Sequence, residues 1–101
     1  MTIEKVFENN VLTLSFEGWL DTTTAPDVDA YIDNIDSGTS LLVFDFNKLE
    51  YISSAGLRKI ASAAKNAKAV GAEFKITGAC QTVMSVLKMT GFTKKYEIEA
   101  K

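Results

Sequence analysis

The sequence predicts one α/β domain on a mixed, mostly parallel sheet, with an antiparallel strand at its N-terminal edge and three to four helices. Three observations predict it. Strand-like alternation and helix-like spacing follow one another along the 101 residues, a pattern that requires crossover connections and hence parallel strands. The run LLVFDF at Leu41–Phe46 is apolar in both alternating registers, as expected of a central strand covered on both sheet faces. Near the N-terminus the pair Asn9-Asn10 separates two alternating segments, and Asn tolerates the positive φ of a tight hairpin turn.

The elements follow in order. Ile3, Val6 and Phe7 make the first strand, and Val11, Leu12, Leu14 and Phe16 make the second, which Gly18 is expected to break. Thr24 then has Asp27 three residues on, the spacing of a capping box, and Pro26 suits a first helical turn. Val28, Tyr31, Ile32 and Ile35 fall at helical spacing, so a first helix is expected to reach Asn34 or Ile35. Asp27 and Asp29 lie at its positive end, where the dipole favours them. SGT resets the chain before the central strand. After YISSAG, the apolar stripe Leu57, Ile60, Ala61 and Ala64 marks a second helix, with Arg58, Lys59, Lys65 and Lys68 off the stripe and Gly71 at its end. AEFKITG is a further strand, QTVMSVLKMTGF a third helix closed by Gly91, and KKYEIE a last short strand.

Composition narrows the chemistry. A net charge of −2 lacks the basic footprint that nucleic acid demands. With no His and a single Cys, the chain cannot form an internal disulfide, a Ser-His-Asp triad or a His-based acid–base site, and no zinc ligand set is visible. No metal, cofactor or nucleophile–base pair is expected, so the protein does not read as an enzyme. The longest apolar stretch, Leu41–Phe44, is far short of the roughly 20 residues of a membrane span. The acidic, alternating N-terminus does not resemble a signal peptide, and a cytoplasmic protein is expected.

Three stretches, GWLDTTTAP, LLVFDFNKLEYISSAGLRKI and GAEFKITGA with VLKMTGF beyond it, resemble the STAS domain, the fold of bacterial anti-sigma factor antagonists. The likeness runs roughly from Val6 to Phe92, so residues 1–101 read as a single STAS domain. In that family the serine two residues before the glycine is the phosphorylation site, which here is Ser54. Many members carry Asp immediately before that serine and Ser or Thr after it; this chain has Ser53 and Ala55. The resemblance implies a switch protein that, when unphosphorylated, binds an ATP-dependent serine kinase acting as the anti-sigma factor and so releases the sigma factor. A phosphatase would reactivate it, and a monomer or weak dimer is expected. The alternative is an accessory subunit of a lipid-transporting ABC complex, in which the serine need not be phosphorylated.

The candidate residues carry plainer readings as well. A serine directly before a helix is usually a cap worth about 1 kcal/mol, which accounts for one serine of the pair and not for both. The resemblance assigns Ser53 the cap and Ser54 the phosphate. Asp21 and Asp45 follow strands, so they could line the crevice at the strand ends or simply bind loop amides; the resemblance favours both lying around the acceptor serine. Gly56 is expected in the first helical turn, where a partner or the sheet approaches the backbone closely. Arg58 is the charged residue best placed for partner contact, although such charges are more often a solvated face. Trp19 is either core or an interface anchor.

Overall fold

Sheet order decides where everything else sits. The computed structural model describes residues 1–101, with strands β1 (Thr2–Glu8), β2 (Val11–Leu20), β3 (Leu41–Ile52), β4 (Glu73–Ala79) and β5 (Glu97–Ala100). They lie side by side in that order. β1 pairs antiparallel with β2 through the Asn9-Asn10 turn, where both residues have positive φ, and the remaining neighbours are parallel. The helices are α1 (Asp29–Ile32), preceded by a 3-10 turn over Ala25–Val28, then α2 (Ser54–Ala69) and α3 (Gln81–Met89). Each crossover from β2 to β5 steps in the same direction across the sheet. Right-handed connections therefore place all three helices on one face.

That topology corrects the expectation of a doubly covered central strand. Leu42, Phe44, Phe46, Leu49 and Ile52 of β3 join a single core with Leu57, Ile60, Ala63 and Ala67 of α2 and Val83 and Leu87 of α3. Val43, at 8% exposure, lies outside this core. It pairs with Thr13 of β2 and Lys75 of β4 on the face that carries no helix. The core is knitted by aromatic contacts, with Phe16 and Phe44 centroids 4.8 Å apart and Phe44 and Phe74 edge to face at 5.2 Å.

Two other expectations change. Gly18 does not end β2; it sits inside the strand at φ +104, where the register slips between Gly18 and Trp19. A bulge of this kind uses the freedom of glycine to change the pairing with β3, while Leu20 keeps the core side it shares with Leu14 and Phe16, with no exposure. The first helix does not run to Asn34 or Ile35. The Thr24 hydroxyl bonds backwards, donating to the Trp19 carbonyl at 2.8 Å and accepting from the Asp21 amide at 2.9 Å. No capping box forms at the Thr24 end, the first turn tightens to 3-10, and only one α-turn follows. Val28 and Ile32 are still buried, so the helical spacing identified the core face correctly.

β3 continues well past Phe46, to Ile52, and delivers the chain to α2 at Gly56. A Cβ added there would stand 2.7 Å from Ile52 Cγ1, 2.8 Å from Leu20 Cγ and 2.9 Å from the Leu20 carbonyl. Gly56 is therefore a packing residue: the sheet makes the close approach, and the buried glycine offers a partner no surface. Gly56→Ala is expected to destabilise the fold by about 1–2 kcal/mol, because overpacking outweighs the gain in helix propensity. That corresponds to a fall of roughly 4 °C or more in Tm, readable by circular dichroism. An unchanged or raised Tm would refute the close-contact reading.

Candidate functional site

The carboxyl ends of β2 and β3 lie together, since Leu20 pairs with Ile52, and ligands of open α/β sheets bind at such ends. From β2 the chain turns through Asp21; from β3 it enters α2 through Ser53. The Ser53 amide donates to the Leu20 carbonyl at 2.9 Å, which ties the two exits to each other. Ser53 is extended (φ −102, ψ 177), and its hydroxyl accepts from the Gly56 amide at 3.5 Å, so it is the N-cap of α2. Ser54 is the first residue of the helix and is exposed. With the cap supplied by Ser53, the Ser54 hydroxyl keeps no partner within the chain. The first amides of α2 and its positive dipole end lie beside that hydroxyl, a setting favourable to an anion. Arg58, also exposed, is one turn further along the same helix face.

Asp21 is close to this site and is locally occupied. Its carboxylate accepts from the Thr23 amide at 3.0 Å, the Thr24 amide at 3.1 Å and the Thr24 hydroxyl at 3.2 Å. The Thr24 amide is the main cause that holds this carboxyl below its usual 3.8; slight desolvation opposes it, and the Thr24 hydroxyl and Thr23 amide reinforce it. Asp21 is thus a fixed negative charge that braces the turn after β2.

Asp45 is not part of the site, against expectation. Six residues of β3 lie between it and Ile52, which puts the two roughly 20 Å apart along extended chain, and it faces the helix-free side. It accepts from Ser15 Oγ at 3.2 Å, Asn47 Nδ2 at 2.7 Å and the Asn47 amide at 2.9 Å. There it lines a depression of about 160 Å³ with Ser15, Glu17 and Lys48 among its neighbours. What the sequence did not reveal is Tyr51. The bulge brings it opposite Trp19 with ring centroids 5.3 Å apart, and both are exposed, 38% and 56%. Its alternation pattern offered no signal, because the bulge resets the register within the same strand.

Partial burial pushes the Asp45 carboxyl up, but the Asn47 amide and side chain, the Ser15 hydroxyl and nearby Lys48 together push it down further, leaving it below 3.8. A folded-state value depressed below the unfolded one gives stability that is present above about pH 4 and lost as pH falls through the folded value. Asp45→Asn should accordingly be less stable than the parent near about pH 6, with the gap closing by about pH 2.5. Thermal melts at both values check this; a gap of the same size at each would show that the Asp45 charge contributes nothing.

The chain matches the model of the STAS domain over residues 2–101. It is 27% identical over 99 residues to a protein provisionally named an anti-sigma factor antagonist, BtrV of Bordetella bronchiseptica, covering 97% of this chain and 84% of that protein. An anti-sigma factor antagonist from Mycobacterium paratuberculosis shares the fold at a TM-score of 0.83 and 20% identity, over 99% of this chain and 86% of that one. The Bacillus cell fate determinant SpoIIAA, solved in its phosphorylated form, shares it at 0.75 and 14% identity, over 99% and 92%. No helix of this chain is long and apolar enough to cross a membrane. With the sheet order, the capped α2 and the family match all in agreement, the chain belongs to the STAS domain family.

Proposed function

We propose that this protein is an anti-sigma factor antagonist of the partner-switching kind, with Ser54 as the phosphorylated residue. One observation carries the reading: Ser53 fills the cap and leaves Ser54 as an exposed, unpaired hydroxyl at the start of α2. A kinase can reach such a hydroxyl without unfolding anything. The name carried by BtrV and the phosphorylated form of SpoIIAA support the same role. In this reading the protein is the substrate of a serine kinase that is also the anti-sigma factor, and it acts in the cytoplasm. The unphosphorylated form is active, and a phosphatase restores it.

The switch is local. A phosphate adds about −1.5 to −2 charge at pH 7. Within the protein it is tolerated, because the α2 amides and Arg58 offset it. In a complex it must be enclosed beside the fixed charge of Asp21, and a buried charge without a partner is costly. Release of the kinase then needs no refolding of the domain.

Kinase and ATP should modify Ser54 and leave Ser53 untouched, as read by mass spectrometry. Ser54→Asp should weaken the kinase complex tenfold or more, about 1.4 kcal/mol, with an unchanged circular dichroism spectrum; Ser54→Ala should bind and resist modification. Modification at Ser53 alone, or equal affinity for Ser54→Asp and parent, would defeat the proposal and leave the transporter-subunit alternative in its place.

A further inference from the structure

We propose that the stacked Trp19–Tyr51 pair is a docking anchor for an arginine-bearing segment of the same partner that reads Ser54. This rests on the partner-switching reading above. Trp19 is 56% exposed and Tyr51 38% exposed, yet they are packed together at 5.3 Å with their planes 48° apart. Large aromatics left in solvent as a contiguous pair are the residues from which interface hot spots are built. The pair also has a structural cause. β2 and β3 slip register between Gly18 and Trp19, so that Gly18 pairs with Leu49, Trp19 pairs with Tyr51 and Glu50 is left over as the extra residue. Gly18 takes φ +104 to make this possible. Without the slip Trp19 would stand opposite Glu50, and the two rings would not meet. Bulges that re-aim side chains in this way concentrate next to functional sites.

Charge decides the chemistry of the occupant. Glu17 lies two residues before Trp19 on β2, and Glu50 lies directly before Tyr51 on β3; both are exposed. The ion pairs of the chain are Lys59 with Asp29 and Lys75 with Glu99, so Glu17 and Glu50 keep their charges available. Lys48 opposes Glu17 across the strands and partly offsets it. An aromatic face flanked by carboxylates suits a guanidinium, which stacks on the ring while its N–H groups reach the acids. Position ties this patch to the switch. Tyr51 precedes Ser54 by three residues, roughly 10 Å of extended chain, and Trp19 precedes Asp21 by two. The pair lies on the helix-free face, since it alternates with the core residues Leu20 and Ile52. Ser54 stands at the same strand ends, so a partner that wraps this end of the sheet meets both.

The test uses the kinase shown to phosphorylate Ser54, titrated against the full chain. Trp19 is the sole tryptophan, so the parent reports its own burial. Its emission should shift to the blue on binding and stay unshifted when the parent alone is concentrated. Trp19→Ala and Tyr51→Ala should each weaken binding at least tenfold with melting curves close to the parent, and the double variant Glu17→Gln/Glu50→Gln should weaken it at least threefold. Three results overturn the inference while sparing the switch: full affinity in both aromatic variants, tighter binding once the carboxylates are removed, or a blue shift on self-association that marks a second copy as the occupant. Failure of the kinase to bind the parent at all would instead overturn the partner-switching reading, and this inference with it.

Discussion

The Leu20 carbonyl is the point on which the functional end of the molecule depends. It accepts from the Ser53 amide at 2.9 Å, and it faces the α-carbon of Gly56 so closely that a methyl group there would stand 2.9 Å away. The first contact fixes where β3 hands over to the helix, and the second fixes how near the helix axis comes to the sheet. Together they leave Ser53 turned inward as the cap and Ser54 turned outward. A side chain at position 56 would push the helix start off the sheet, because backbone oxygen cannot yield as a flexible side chain can.

The two ends of this site differ in charge for reasons of sequence position. Between Glu50 and Glu73 the chain has four basic residues, Arg58, Lys59, Lys65 and Lys68, and no acidic one. Lys59 is held by Asp29 at 2.7 Å, which ties α2 to the shorter α1, while Arg58, Lys65 and Lys68 are exposed. The Ser54 hydroxyl thus stands at the positive pole of a basic helix, close to the acidic turn after β2. On the proposed reading, this placement offsets a phosphate within the domain, and a partner that encloses it beside Asp21 lacks that offset.

Much of this site was legible beforehand. The order SSAGL, with a small residue and glycine opening an apolar stripe, placed the helix start correctly; which serine is the cap came only from the resemblance, and the structure shows Ser53 in that role. Asp21 was legible as a strand-end acid. Its partners were legible only as alternatives, and the structure shows it bracing its own turn through Thr23 and Thr24. Asp45 was misplaced because a strand end cannot be read from composition alone: NKLEYI looks like a loop until its pairing with β2 through two register shifts keeps Leu49 and Ile52 in the core.

The sequence by itself determined the fold class, the edge hairpin, the location of the serine pair and, in part, the helical core faces. Leu57 and Ile60 of α2 are buried as expected, while Ala63 and Ala67 take the core places expected of Ala61 and Ala64. All of these follow from periodicity and from residues with strong local preferences, such as the Asn9-Asn10 turn at positive φ and glycine at 71 and 91 beyond the helix ends. Only the tertiary structure decided that one face of the sheet stays bare, that Gly56 is wedged against Leu20, and that Trp19 and Tyr51 meet in solvent. Each of these depends on a sense of crossover, a closest approach or a slipped register between segments about 30 residues apart or more. Such relations arise from packing between elements, and no local pattern encodes them.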